Sequence, residues 1–307
     1  MTRGPGNSSP DSPVRTGQHN EERQETRMTP TDGHQPNGHA RALDGTLLAY
    51  QRQGTGRPLV LLAGQANNHH WWDGQRADFH ATHTTLTMDW RGTGESGKPD
   101  EPYSTPGFAD DVIAVLDHLG IERADLYGTS MGGRVAQWVA ARHPDRIRRL
   151  VLGCTSPGGP QARERDMAVR RSLAQADARA AREALTDLMY TPAWRAGHPG
   201  PYTTLGDPAM PPYARRRHLV ASNEHDAWDA LPLISAPTLI LHGAEDRLTP
   251  AANAPLLAAR IPRARTHIFE GARHGYFEEC RPAAGAVVAS FLAEPETAPL
   301  IHQAPLT

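Results

Sequence analysis

Apolar and polar positions along this chain follow two alternating rhythms. Short apolar runs that end in glycine or turn residues alternate with stretches whose apolar positions recur every three or four residues. "RPLVLLAG" (57–64) is such a run and predicts a buried strand. "TTLTMDW" (84–90) is rich in β-formers and leads into the turn "RGTGES". In "STPGFADDVIAVLDHLG", Phe108, Val112, Val115, Leu116 and Leu119 recur at helical spacing. Thr105 is suited to cap that helix, Pro106 to its first position and Gly120 to its stop. "ADLYGTS" (124–130) predicts a strand, "MGGRVAQWVAARH" (131–143) a helix halted before Pro144, and "IRRLVLGC" (147–154) another strand. The rhythm resumes late in the chain. "APTLILHGAED" predicts a strand, "PAANAPLLAARI" a helix, "ARTHIFEGA" a strand and "PAAGAVVASFL" a helix.

Residues 156–232 break the pattern. They are rich in Ala and Arg, with helical patches around Leu173, Leu185, Leu188 and Met189, and then rich in Pro and Gly from Pro192 to Pro212. Strand–helix alternation on either side implies an α/β fold: a mostly parallel sheet with helices on both faces. The irregular stretch then reads as a helical cap inserted over the sheet edge where loops carry function. Residues 1–40 are polar and rich in Gly, Pro, Ser, Asn and Gln, a composition that predicts a disordered tail. Met28 is an alternative start. The expected globular domain is 41–293, and 294–307 reads as a loose C-terminal tail.

Composition narrows the function classes. The chain has 307 residues, with 32 Lys and Arg against 34 Asp and Glu and a net charge of −2. That balance points to neither a nucleic acid nor an anionic membrane as partner, and leaves a small-molecule substrate. The two cysteines, Cys154 and Cys280, are too few for a disulfide framework and fit a reducing compartment, with Cys154 as a small buried hydrophobe. No apolar run reaches the ~18 residues of a membrane span, and the N-terminus lacks the apolar core of a signal peptide. The expectation is a soluble cytoplasmic protein. Oligomeric state is not written in the sequence.

The candidate chemistry centres on "LYGTSMGG" (126–133). A bare G-x-S-x-G match is as often a structural turn as a reactive site. Here it follows an apolar strand and opens a helix, the context in which such a serine is a nucleophile. A turn that sharp forces Ser130 into an unfavourable backbone conformation and demands small neighbours, which accounts for Gly128 and Gly132. A serine hydroxyl needs a base, and the base needs an orienting acid. Glu245 and Asp246 lie just past one predicted strand, and His274 lies in the loop after the next. Asp246 is favoured as the acid, standing four residues before a proline that opens a helix, and His274 as the base. A tetrahedral intermediate also requires amide donors. The backbone N–H of Met131, next to the nucleophile, and that of Gln65, immediately after Gly64, are the candidates.

These segments resemble the α/β-hydrolase superfamily over roughly residues 42–293. The resemblance rests on "LLAGQ", "DWRGTGES", "YGTSMGGRVAQWVAARHPDRIRRLVLGC", "LILHGAEDRLTP" and "GARHGYF", in the family's order. It implies a Ser130–His274–Asp246 triad, and it makes Asp89 and Arg91 scaffold in a turn beside the site. Many members carry His-Gly where this chain has Ala63–Gly64. The elbow and following helix are most similar to 3-oxoadipate enol-lactonase-like enzymes and cofactor-free haloperoxidase or perhydrolase relatives. A serine nucleophile separates the chain from epoxide hydrolases and haloalkane dehalogenases. The resemblance implies a serine hydrolase of small carboxylic esters or lactones. Perhydrolysis, C–C bond hydrolysis, a lyase reaction or a non-catalytic ligand receptor are the alternatives.

Other residues modify this picture less. Trp71 and Trp72 follow the oxyanion loop and are candidate pocket walls, with core packing the equal alternative. Tyr190 and Trp194, with Tyr202 and Tyr213, are candidates to line the cap. "ARRRH" (214–218) reads as a solvated helix face more readily than as a steering patch for anions. Histidines at 69, 70, 80 and 83 lack zinc-site spacing, so no metal is expected. No glycine-rich nucleotide motif occurs, so no cofactor is implied.

Overall fold

The computed structural model describes Met1 and residues 38–295. Eight strands form one sheet: β1 (Gly38–Arg41), β2 (Leu47–Gly54), β3 (Arg57–Leu62), β4 (His83–Met88), β5 (Ala124–Thr129), β6 (Ile147–Gly153), β7 (Thr238–Gly243) and β8 (Ala264–Phe269). Their spatial order is β1-β2-β4-β3-β5-β6-β7-β8. From β4 to β8 all neighbours are parallel, and β1 and β2 add an antiparallel edge. The helices are α1 (Thr105–His118), α2 (Met131–Arg142), α3 (Met167–Leu173), α4 (Ala178–Met189), α5 (Pro192–Gly197), α6 (Pro212–Asn223), α7 (Asn253–Arg260), α8 (Tyr276–Glu279) and α9 (Ala283–Ala293). Helices α3 to α6 lie in the stretch read as the cap.

The continuous apolar runs of the central strands serve two cores, because successive side chains point to opposite faces. In β3, Val60 and Leu62 join α1 and α2, while Leu59 and Leu61 join Trp72, Phe79 and α9. The same division splits Ile240 from Leu239 and Leu241 in β7. A sheet buried on both faces cannot show polar alternation, which is why these strands read as unbroken apolar blocks. Parallel pairing brings their carboxyl ends to one edge: Leu62 pairs with Gly128, Thr129 with Gly153, Gly153 with Leu241 and Gly243 with Phe269. The chain order reverses between β3 and β5, the kind of switch point where α/β sheets bind ligands.

Two expectations shift. Gly38, His39 and Ala40, assigned to the N-terminal tail, belong to β1, where they pair with Tyr50, Ala49 and Leu48. The rest of that expected tail, 2–37, and residues 296–307 lie outside the described residues. Ser104 caps α1, its hydroxyl accepting the Gly107 amide at 3.1 Å. Thr105 hydrogen-bonds the His225 ring instead, at 2.9 Å. Among the described residues no helix is long and apolar enough to cross a membrane. Cys154 and Cys280 are both free, and Cys154 is buried.

Candidate active site

Strand β5 passes into α2 through one residue, Ser130, at φ 54° and ψ −120°. A side-chain-bearing residue reaches that region only at a cost of ~1–3 kcal/mol. The surroundings hold it there. The Ser130 amide donates to the Gly153 carbonyl at 2.9 Å, and its own carbonyl accepts Gly133 and Arg134 amides and the Thr155 hydroxyl, the last at 2.8 Å. The neighbours are small because backbone presses on both sides. A Cβ on Gly128 would stand 2.8 Å from the Gly133 nitrogen, and one on Gly132 would stand 2.7 Å from the Ala63 carbonyl oxygen. The helix N-terminus is thereby packed onto the end of β3.

Asp246 follows β7 and is buried, yet its carboxyl is held down to about 2. Burial alone would raise it. The His274 charge and hydrogen bonds from His242 and His274 outweigh that penalty. One carboxylate oxygen accepts the amides of Leu248 and Thr249, each at 2.9 Å. The other faces His274 Nδ1 at 2.8 Å and His242 Nε2 at 3.3 Å. An ionised carboxylate can only accept, so His274 carries its proton on Nδ1 and leaves Nε2 as a base. The Cys154 thiol is buried close enough to Asp246 and to the Ser130 amide to be influenced by both. Burial and then the Asp246 charge push it well up, while the Ser130 amide opposes them. Among the described residues the Ser130 hydroxyl makes no hydrogen bond to His274, whose ring is bonded to Asp246. Nucleophile–base contacts of this kind often tighten only with substrate bound.

The loop after β3 approaches the same edge. Neither the Gln65 nor the Met131 amide has an acceptor among the described hydrogen bonds. Trp71 seals the loop from below: a Cβ on Gly64 would lie 2.6 Å from its ring, and its Nε1 donates to Thr129 Oγ1 at 2.9 Å. Trp72 is wholly buried against Tyr127 and Phe277 in the sheet core. In the turn after β4, Asp89 accepts the His69 amide at 2.8 Å and the Glu95 amide at 2.9 Å, while Arg91 pairs with Asp111 at 2.6 Å. His69 is spent on Asp89 and His70 on Asp73.

The cap grips the histidine loop. The carbonyls at the end of α4, which have no partner within the helix, accept from it: Leu188 from the His274 amide at 3.4 Å and Met189 from the Gly275 amide at 2.8 Å. Arg273 reaches the Asp187 carboxylate at 2.9 Å and the Tyr190 carbonyl at 3.1 Å. Glu279 binds the Thr191 and Arg273 amides, both at 2.6 Å. Tyr190 is buried over Gly275, its hydroxyl bonded to Thr204 and Glu278, and Trp194 stacks on it at 4.6 Å. Tyr190 therefore builds the cap–loop contact, and Trp194 backs it from within the cap. A hollow of about 670 Å³ in the cap is lined by Arg179, Arg182, Glu183, Arg195, Tyr202 and Leu205, and none of Ser130, Asp246 or His274 is among its walls. The Arg215–Arg217 run is engaged locally, Arg215 with the Asp207 carbonyl at 3.0 Å and Arg217 with Asp100 at 3.1 Å. Among the described residues no cluster of three or more His, Cys, Asp or Glu could hold a metal ion.

Residues 57–279 match the family profile of the alpha/beta hydrolase fold. The chain belongs to the α/β-hydrolase family. It is 32% identical over 257 residues to a 2-hydroxymuconate semialdehyde hydrolase of Pseudomonas putida, spanning 79% of this chain and 89% of that one. It is 30% identical over 236 residues to 3-oxoadipate enol-lactonase 2 of Acinetobacter baylyi, spanning 73% and 84%. Among solved structures, Est816, an N-acyl homoserine lactone degrading enzyme, superposes with a TM-score of 0.72 at 29% identity, covering 82% of this chain and 99% of its own. This α/β-hydrolase thus shares its fold and most of its length with enzymes that hydrolyse different substrates. His242, His218, Arg273 and Glu279 escaped the sequence reading. A signal existed for His242 alone, a polar residue inside the apolar run "LILHG" four positions before Asp246.

Proposed function

We propose that this α/β-hydrolase is a serine hydrolase that cleaves a small carboxylic ester or lactone through an acyl-enzyme. The observation that carries the reading is the strained Ser130 at the mouth of α2, in a chain whose buried Asp246 holds His274 by Nδ1 at 2.8 Å. Ser130 Oγ attacks the carbonyl carbon while His274 Nε2 takes its proton. The negative charge formed on the carbonyl oxygen is met by the amides of Gln65 and Met131. Collapse breaks the bond to the alkoxy oxygen, which leaves as the alcohol with the proton from His274. Water then repeats the sequence on the acyl-enzyme, releasing the acid and restoring Ser130. Asp246, ionised throughout, keeps the imidazole in the required tautomer and stabilises it when charged.

Intact-mass measurement after exposure to a fluorophosphonate tests the reading. Wild type gains one adduct and Ser130→Ala none, and p-nitrophenyl acetate and simple lactones are hydrolysed by wild type only. A well-folded wild type that stays unlabelled overturns it. A second reading, hydrolysis of a substrate of the 2-hydroxymuconate semialdehyde kind by the same residues, is favoured by the 32% identity to that hydrolase. Turnover of that substrate far above esters and lactones would select it.

A further inference from the structure

The oxyanion loop is held from the cap side. Ala66, immediately after Gln65, sits at φ 58° although it bears a side chain. Three contacts from the cap stretch keep the turn in place. The Ala66 carbonyl accepts the Asp207 amide at 2.7 Å, Asn67 Oδ1 accepts the Gly206 amide at 2.8 Å, and the Ala66 amide donates to Nδ1 of His218 at 3.2 Å. His218 lies in α6 with 0% exposure, packed against Tyr103 and Phe108. Its Nε2 stands 2.9 Å from the Arg91 carbonyl, which can only accept. Nε2 therefore carries the hydrogen and Nδ1 is bare, the one tautomer that satisfies both neighbours. Burial, aided by the Arg215 charge and opposed by the bond to Arg91, pulls the imidazole down to about 4, so it is neutral across the ordinary working range.

A bond that fixes one amide of a tight turn also fixes the peptide planes beside it. With the Ala66 amide turned to His218, the Gln65 amide is the donor left over at this turn. We propose that His218 is the positioning residue of the oxyanion hole: by accepting the Ala66 amide from the cap, it holds the turn that leaves Gln65 N–H free for the developing oxyanion of an ester or lactone. The inference rests on the acyl-transfer reading above. It makes a cap residue, 152 positions from Ala66 in the chain, a determinant of the chemical step and not of substrate binding alone.

Two variants test it. His218→Phe keeps a ring but removes the acceptor, whereas His218→Asn places an amide oxygen near the position of Nδ1. With p-nitrophenyl acetate, Phe lowers kcat about ten- to a hundredfold with KM within about threefold, a part of the ~10²–10³ lost when an oxyanion donor is removed outright. Affinity for phenylboronic acid, which forms a tetrahedral adduct on the serine, falls by the same factor as kcat/KM, and Asn recovers most of both. Full kcat in the Phe variant overturns the proposal, as does an equal loss in both variants with boronate affinity unchanged. If the Phe variant does not fold, ¹⁵N-histidine NMR of wild type decides: a hydrogen on Nδ1 of His218 overturns the assignment, and one on Nε2 supports it. Fluorophosphonate labelling of wild type separates the two levels. An unlabelled wild type brings down the acyl-transfer reading and this inference with it. Labelling with wild-type kinetics in both variants removes only the role of His218.

Discussion

Replacing Gly132 by alanine sets a methyl group against the end of β3. An ideal Cβ there would lie 2.6 Å from the Leu62 carbonyl carbon and 2.7 Å from the Ala63 carbonyl oxygen. Ordinary carbon contacts begin near ~3.5 Å, so the gap must widen by almost ~1 Å. Both obstructing groups are backbone and cannot rotate away. Either the first turn of α2 withdraws, carrying Ser130 and Met131, or the end of β3 gives way, carrying Gly64 and Gln65. Both movements part the two proposed oxyanion donors. A displacement of ~1 Å in a reacting constellation costs up to ~10²-fold in rate, and overpacking costs ~1–3 kcal/mol of stability. The expected result for Gly132→Ala is a kcat/KM about 10²-fold below wild type on p-nitrophenyl acetate and a urea midpoint lowered by the equivalent of ~1–3 kcal/mol. Gly197→Ala is the control. It sits exposed at the end of α5 with nothing within 4 Å of its added Cβ, and stability should stay within ~0.5 kcal/mol of wild type. If Gly132→Ala retains kcat/KM within threefold at unchanged stability, the account of the elbow as a close backbone contact between α2 and β3 is wrong.

Asp246→Asn keeps the shape of the acid but lets its amide favour the wrong tautomer of His274. A loss of about 10⁴ in kcat is expected, read by steady-state kinetics on a protein with unchanged circular dichroism. Asp246 also links stability to pH. Its folded value of about 2 lies below the ordinary 3.8, so its contribution is complete above the unfolded value and is lost as pH falls toward the folded one. Linkage puts the loss between pH 5 and pH 3 at ~1 kcal/mol, so the stability gap between wild type and Asp246→Asn in urea should narrow by about that amount. Arg273→Ala removes the guanidinium that ties the His274 loop to Asp187 and Tyr190. Faster amide exchange at Gly275 and a several-fold drop in kcat/KM are expected, and exchange protection equal to wild type would sink the clamp.

The proposed nucleophile, acid and base were legible because each is announced locally. Ser130 stands between glycines at a strand–helix corner, Asp246 follows the apolar run of a strand buried on both faces, and His274 lies in the loop between an edge strand and helices α8 and α9. The first two strands were not legible: "GHAR" is a short edge strand with no apolar block, and in "LLAYQRQG" a brief apolar start runs straight into polar residues, so each is defined by its antiparallel partner. Thr105 and Ser104 are both able to cap, and only the presence of His225 beside Thr105 decides between them. For Trp72 and Tyr190 the sequence left core and pocket both open, because large aromatics suit either place. Their burial is settled by partners such as Phe277 and Glu278, far along the chain. The same reason hides His218, since a histidine in an arginine-rich helix reads as surface until Ala66 is brought to it.

The two grips of the cap have a consequence for engineering. The stretch from Leu188 to Thr191 is tied to the histidine loop, and the stretch from Gly206 to His218 to the oxyanion loop. A transplanted cap that lacked these matched partners would loosen both halves of the proposed site at once. The α3 helix and the exposed faces of α4 and α5 carry neither set of ties. They form the part of the cap in which sequence can be varied while the proposed site is left standing.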